Sequence, residues 1–255
     1  MAVEKSKSPK FGQTMVTERL IPETEESPEL VRLHLARYEF ARQFVHGKKV
    51  LDVACGAGYG AAMLLEAGAA QVLGVDNSTE AVGHARVCYQ SKNLNFVLGN
   101  AEDLSPHRDF DVVVSFETIE HLQNPEKFLR EITRALAPHG VLIISTPQRE
   151  RGALNTQPHN RFHVREWIKE EFEELLLHYF NRVTVFGQYA VPKKWLPYSR
   201  TMQRLFLRVA SPRLFAELDK YPVLGQPPSS RGFRLSLSYM VMVCTETKGA
   251  GTHDH

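Results

Sequence analysis

The sequence predicts an α/β fold, a mostly parallel sheet with helices on both faces, and three observations carry that prediction. Short apolar runs alternate with amphipathic segments over residues 50–145, a pattern that demands parallel strands joined by right-handed crossovers. One run, Phe110–Phe116, is apolar and β-branched through its centre, as a strand buried on both faces should be. The first run, residues 50–53, leads into the closely spaced glycines Gly56, Gly58 and Gly60 and then a helical segment. Such a junction lets a ligand approach bare backbone and meet the free N–H groups of the helix.

Taken in order, residues 1–14 are Lys/Ser/Pro-rich and poor in apolar side chains, which predicts a disordered arm. Residues 15–247 read as a single domain, with 15–47 as an N-terminal lid. Ser27-Pro28-Glu29 supplies a cap, a proline at the first helical position and an early acid, opening a helix to about Val45. Its apolar face is Val31, Leu35, Tyr38 and Ala41, and residues 17–22 form a strap before it. Arg37 is read as solvated and Tyr38 as a packing residue, with contact to a ligand carboxylate as the alternative.

Strand 50–53 leads to helix 59–67, stopped by Gly68, and strand 71–75 leads to helix 79–90, capped by Asn77 or Ser78. Strands follow at 95–98 and Phe110–Phe116. Asn124-Pro125-Glu126 opens the next helix, with Phe128, Leu129, Ile132 and Leu136 at helical spacing and Pro138 and Gly140 as its end. Residues 141–145 are the fifth strand. A polar loop over 148–159 precedes an acidic amphipathic helix at 169–179, and 182–186 and 235–245 read as the last two of seven strands. Between them, 190–234 is an insertion in which Met202, Leu205, Phe206 and Val209 share one helical face and Arg200, Arg204 and Arg208 the other. The tail, 248–255, reads as disordered.

Composition narrows the class. The chain has 255 residues, 43% apolar and 24% charged, as ordinary soluble domains do. No apolar run approaches the roughly 18 residues of a membrane span, and the basic start lacks the apolar core of a secretory signal. A cytoplasmic location is the expectation. Three widely spaced cysteines, Cys55, Cys88 and Cys244, argue against a disulfide framework, and Cys55 is read as a small buried residue rather than a nucleophile. A net charge of +2 gives no reason to expect nucleic acid. The Arg200/Arg204/Arg208 stripe offers peripheral contact with a membrane surface or an anionic acceptor.

Gly56, Gly58 and Ala61 also fit the tolerant form of the dinucleotide fingerprint, but two acids shift the balance. Asp52, four residues before the first glycine, is poorly placed beside a pyrophosphate and well placed near a cation. Asp76, twenty residues after Gly56, stands where a ribose diol is held. A ribose-bearing, positively charged ligand answers to both, and S-adenosylmethionine is one.

Here the chain resembles the class I S-adenosylmethionine-dependent methyltransferases. The resemblance runs over residues 50–147 and includes Gly99-Asn100-Ala101-Glu102-Asp103-Leu104, residues 111–117, and Leu136-Ala137-Pro138-His139-Gly140 before the fifth strand. It implies a Rossmann-like seven-stranded sheet whose last two strands form an antiparallel pair at one edge. It also implies that Asp52, Gly56 and Gly58 face the methionine part of the cofactor, Asp76 the ribose and Ala101-Glu102 the adenine. Asn77, Asn100, Phe116 and Glu117 fall at strand ends on the same rim. Each of these residues has a plainer role open to it as a cap or turn.

Methyl transfer is an in-line displacement, so the protein chiefly aligns acceptor, methyl and sulfur. A hydroxyl acceptor also needs its proton removed, and His121, His159 and His163 are the candidate bases. If Glu117-Thr118-Ile119-Glu120-His121 begins a helical turn, Glu117, Glu120 and His121 lie on one face. The pattern resembles that of the ubiquinone-pathway O-methyltransferases, in which it can hold a divalent ion; two carboxylates favour Mg²⁺. His159 and His163 lack the Glu-x-x-His pattern of zinc proteases, and zinc is not expected there. The segments 18–22, 36–41 and 159–167 resemble a bacterial branch of these enzymes associated with cell-surface polysaccharide and other glycan pathways, which makes a small molecule or glycan hydroxyl the expected acceptor. Ser115-Phe116-Glu117-Thr118 lacks the Asn/Asp-Pro-Pro-aromatic loop of DNA amino-methylating enzymes. A nicotinamide oxidoreductase would need a further catalytic region, and a non-catalytic cofactor-binding module remains the other alternative.

Overall fold

At the centre of the sheet lies β1 (Lys49–Val53), with residues 50–53 all buried. It pairs in parallel with β2 (Gln71–Asp76) on one side and β4 (Phe110–Phe116) on the other. β3 (Leu94–Leu98) extends the sheet beyond β2, and β5 (Leu136–Pro147) beyond β4, again in parallel. β8 (Ser236–Thr247) then runs antiparallel between β5 and β6 (Phe180–Ala190), and the two-residue β7 (Leu224–Gly225) borders β6. The order is β3-β2-β1-β4-β5-β8-β6-β7. All seven expected strands form, and the 190–234 insertion contributes the short eighth. The protein is described by a computed structural model over residues 28–149, 158, 160–190, 224–225 and 236–248. The expected arm, the strap at 17–22, His159, the basic face at 200–208 and the tail beyond Lys248 lie outside those residues. Among the described residues no helix is long and apolar enough to cross a membrane.

Strand pleating sends alternate side chains to opposite faces, and two cores result. Val50, Val72, Val112, Val114 and Val241 meet Tyr38 and Ala41 of α1 (Pro28–Ala41), Ala61 and Leu64 of α2 (Tyr59–Glu66) and Val82 and Ala85 of α3 (Thr79–Cys88). On the other face Leu51, Val53, Val113, Ile144 and Met242 meet Phe128, Leu129 and Ile132 of α4 (Pro125–Ala135) and Phe172 and Leu176 of α5 (Lys169–Leu177). Helices on both faces are thus the direct consequence of strands that turn apolar side chains to both sides.

Helix starts follow the local chemistry. Ser78, not Asn77, caps α3, its hydroxyl accepting from the Ala81 N–H. Asn124 accepts from the Lys127 N–H at 2.8 Å, with Pro125 at the first turn of α4. Helix ends differ by a few residues. α1 tightens into a 3₁₀ turn at Arg42–Phe44. α4 stops at Ala135, because Pro138 disfavours helix before it and buried Leu136 is claimed by the sheet, pairing with Phe110 across a register shift. The first βα loop is left-handed at Ala54, Gly56 and Gly58. At Gly58 a Cβ would meet Ala85 Cβ at 2.6 Å and Phe96 at 2.8 Å, whereas at Gly56 it would meet nothing within 4 Å. One glycine is there for packing, and the other faces open space.

Candidate functional site

Strand order reverses at β1, between β2 and β4, and in open α/β sheets that is where a crevice opens at the carboxyl ends of the strands. A cavity of about 460 Å³ lies there, within the size range of small-ligand sites. Its floor is Ala54, Cys55 and Gly56; one wall is Asp76, Asn77, Asn100 and Ala101, the opposite one Phe116, Glu117, Thr118 and His121, and α1 with Tyr239 closes the remainder.

The expected cofactor residues divide into two groups. Gly56, Asp76, Asn77, Asn100, Ala101, Phe116 and Glu117 line the cavity. The Asp76 carboxylate accepts from the Gly56 N–H at 2.8 Å and the Ser78 N–H at 2.9 Å, which pins the glycine loop to the start of α3. Asn100 Oδ1 accepts from the Glu102 N–H. Glu102 lies in a shallower adjoining hollow with Leu98 and Leu122, its carboxylate accepting from the Asn124 N–H at 3.1 Å.

Asp52 and Gly58 are not brought to the cavity wall. Asp52 has the same strand parity as Val50 and so points toward α1, where the Tyr38 hydroxyl donates to both carboxylate oxygens at 3.1 and 3.2 Å. Burial pushes this carboxyl up to about 7; the Tyr38 hydrogen bond pulls it down, and Asp76 pushes it up. Position in the chain suggested a ligand-facing acid, but the pleat turned it behind the wall. Gly58 is enclosed by Ala85 and Phe96. Cys55 is buried, as a small packing residue should be.

On α1, His34 was not among the expected site residues, and for Arg37 the structure favours the alternative over the solvated reading. Arg37 is not solvated: it is 2% exposed, its Nε donates to Gln188 Oε1 at 3.0 Å, and its guanidinium lies 4.4 Å over the Tyr239 ring. Its Nη1 stands 3.6 Å from Glu117 Oε1 and finds no hydrogen-bond partner among the described residues. His34 Nδ1 lies 2.5 Å from the Tyr59 hydroxyl. Burial, then Arg37, lower the His34 pKa to about 3, and burial raises that of Tyr59. The phenol therefore donates to a neutral imidazole. The signal that could have found both is helical spacing, since His34, Arg37, Tyr38 and Ala41 form one i, i+3, i+4, i+7 stripe.

The segment after β4 departs furthest from expectation. Glu117 adopts a left-handed φ of 51°, so no helical turn starts there, and only a 3₁₀ turn forms at Ile119–His121. Glu117 instead accepts from Ser145 Oγ at 2.7 Å and faces Arg37. The Glu117/Glu120/His121 set expected for Mg²⁺ is therefore not assembled, and these residues do not fit that ion. Glu120 is fully buried, its Oε2 accepting from Thr146 Oγ1 at 3.0 Å. Burial, then the charge of Glu117, push its carboxyl well above the usual range.

Of the candidate bases, His121 reaches the cavity. Its Nδ1 lies 3.0 Å from the Phe162 carbonyl oxygen, which can only accept, so the proton is on Nδ1 and the lone pair on Nε2. His163 stands behind it, ring centroids 4.9 Å apart. The Nδ1 of His163 is 2.6 Å from Glu166 Oε1, and its Nε2 is 2.9 Å from Asn160 Nδ2. His159 lies outside the described residues.

A parallel sheet with an antiparallel strand inserted near one edge, a glycine cradle after β1 and an acid closing β2 are similar to the class I S-adenosylmethionine-dependent methyltransferase domains. Gly56, with open space above it, the Asp76 carboxylate and Arg37 Nη1, which has no hydrogen-bond partner among the described residues, make the cavity fit that cofactor. Residues 51–144 match the family described as a methyltransferase domain. A probable S-adenosylmethionine-dependent methyltransferase of Mycolicibacterium smegmatis is 37% identical over 161 residues, 62% of each chain. A ubiquinone biosynthesis O-methyltransferase of Bradyrhizobium diazoefficiens is 33% identical over 105 residues, 40% of this chain and 41% of that one. The YcgJ protein of Bacillus subtilis shares the fold with a TM-score of 0.59 and 20% identity, over 85% of this chain and all 100% of that one. The match to the mycobacterial relative thus spans less than two thirds of its length.

Proposed function

We propose that this chain transfers the methyl group of S-adenosylmethionine to a hydroxyl of a small molecule or sugar, and that it works in the cytoplasm. The observation that carries the reading is the continuity of one cavity, which joins the Gly56/Asp76 cradle to the Nε2 side of His121. When bound, the cofactor supplies a methyl group already activated on a sulfonium. The chain's own residues hold and orient. Gly56 admits the methionine part close to backbone, and Arg37 Nη1 meets its carboxylate. Asp76 takes the ribose hydroxyls, while Ala101 and Glu102 flank the adenine beside Leu98.

Phe116, His34 and the Tyr59 ring give the reacting end an apolar, water-poor wall. A neutral His34 adds no second cation beside the sulfonium. His121 Nε2 removes the acceptor's proton, and its tautomer is set by the Phe162 carbonyl. Similarity to the ubiquinone-pathway O-methyltransferase supports a phenol as the second acceptor class.

The test is S-adenosylhomocysteine formation with a panel of activated sugars and phenols, in chelator-treated buffer. His121→Ala should lower turnover about 10²-fold with cofactor affinity unchanged. Full turnover in that variant would remove His121 as the base. Cofactor binding without turnover on any acceptor would favour a binding module.

A further inference from the structure

We propose that Gln188 of β6 and Tyr239 of β8 form a clamp that aims Arg37 at the cavity wall, and that this clamp sets how strongly the protein recognises the carboxylate of its cofactor. The inference rests on the reading of the cavity as an S-adenosylmethionine site and adds two positioning residues to it.

Gln188 and Tyr239 stand directly opposite each other in the antiparallel register of β6 and β8. The register shifts immediately afterwards, between Gln188 and Tyr189, and a bulge of this kind re-aims the side chains beside it. Directly opposed residues share one face of a sheet, and here that face is the one covered by α1. Phe186, two residues earlier and so on the same face, packs its ring 4.8 Å from that of Phe40 on α1. Apolar contact therefore already seats the helix. The amide of Gln188, 0% exposed, is not explained by packing.

Its hydrogen bonds explain it. Oε1 accepts from Arg37 Nε at 3.0 Å, and Nε2 donates to the Leu33 carbonyl at 2.9 Å. The two partners lie one helical turn apart, so both ends of the amide are spent on a single turn of α1. Flipping the amide would set donor against donor and acceptor against acceptor. Burying such a group has a desolvation cost that the two bonds offset. What the amide adds is direction.

A guanidinium is a rigid, planar fork. Gln188 holds its Nε corner, and the Tyr239 ring centroid, 4.4 Å from Arg37 Cζ, holds its face. With corner and face both set, Nη1 is directed to the cavity wall beside Glu117. Glu117 Oε1 is 3.6 Å away, beyond hydrogen-bond reach, and is occupied by Ser145. Nη1 has no hydrogen-bond partner among the described residues. A buried donor left unmatched is costly, and an anionic oxygen is its natural complement. Released from the clamp, the guanidinium would close on Glu117 and be lost to the ligand.

Binding to the full chain is measured calorimetrically with two ligands, S-adenosylhomocysteine and its decarboxylated analogue, which keeps the ammonium and lacks only the carboxylate. The ratio of the two affinities reads the carboxylate contact. Wild type should prefer S-adenosylhomocysteine, and Arg37→Met should erase that preference. Gln188→Met, close in volume, should weaken S-adenosylhomocysteine about tenfold and leave the analogue within about twofold of wild type. In the Arg37→Met background the same change should cost nothing further, because the clamp acts only through Arg37. Far-UV circular dichroism identifies a variant that fails to fold. Should Gln188→Met be one, Tyr239→Leu is read by the same ratio, which should fall; an unchanged ratio there would reject the clamp. A folded Gln188→Met that keeps the wild-type preference, loses both ligands alike, or adds its loss to that of Arg37→Met would overturn the proposal. A preference that survives Arg37→Met would do the same. In each of these cases wild type still binds S-adenosylhomocysteine, and the methyl-transfer reading stands. Should wild type bind neither ligand, the reading of the cavity fails and the clamp with it.

Discussion

Replacing Tyr38 by Phe isolates one hydrogen-bonding group, because the ring that packs 5.0 Å from Phe116 is retained. The lost hydroxyl donates to both oxygens of Asp52, a residue with no exposed surface. A buried acceptor stripped of its partner costs about 1–3 kcal/mol. The cost must depend on pH, because the Asp52 carboxyl in the folded protein titrates near 7 against an ordinary value of 3.8.

With the folded value raised, the native state binds the proton more tightly, and stability from this group falls as pH rises from about 4 to about 7. Below that window Asp52 is neutral in the fold and needs its donor less. Above it the carboxylate is charged, and Tyr38, whose own phenol is pushed well above its usual value by burial and then by Asp52, is the group that compensates. Tyr38→Phe should therefore destabilise little at pH 5 and by about 1–3 kcal/mol at pH 8.5. For a domain of this size about 2 kcal/mol is roughly 4–8 °C in Tm. Differential scanning calorimetry of both proteins at the two pH values measures this directly. Only the difference between them is diagnostic, because His34, lowered to about 3, contributes a slope of opposite sign. An equal loss of Tm at both pH values, or none at 8.5, would refute the linkage. Asp52→Asn gives the complementary check, its stability relative to wild type rising as pH climbs through the same window.

Other outcomes follow from the same geometry. Gly58→Ala should cost about 1–3 kcal/mol of stability from overpacking, since its Cβ would fall 2.6 Å from Ala85 Cβ. Gly56→Ala, facing open space, should lose only about 1 kcal/mol to its left-handed backbone but weaken S-adenosylmethionine binding severalfold by calorimetric titration; the reverse ranking would mean the loop roles are exchanged. The His34 contribution to stability is complete above about pH 6.5 and is lost as pH falls toward about 3, because the buried neutral ring must take a proton. His34→Phe should flatten that acid limb in denaturant titrations, and an unaltered limb would show that other groups set it.

The order of strands and helices over residues 49–147 could be read from the chain because its causes are short-range. Apolar runs, the Ser and Asn-Pro starts of α3 and α4 and a glycine at the first βα turn act within a few residues, and Ser78, Asn124 and Pro125 do what their chemistry dictates. Gly56 and Asp76 were legible for the same reason, since a strand end is a local event that also marks the crevice. Other features have causes that no local pattern contains. The face of β1 that carries Asp52 became an interior because α1 lies across it, which also turned Arg37 and His34 from surface residues into cavity walls. Pairing of Glu117 with Ser145 on the neighbouring strand forced the left-handed residue that broke the expected helical turn. His163 met Glu120 and His121 because main-chain hydrogen bonds from Val164 and Arg165 dock that distant loop onto the Glu120 carbonyl. Periodicity and cap chemistry determine which elements form; long-range packing determines which side chains those elements turn toward one another.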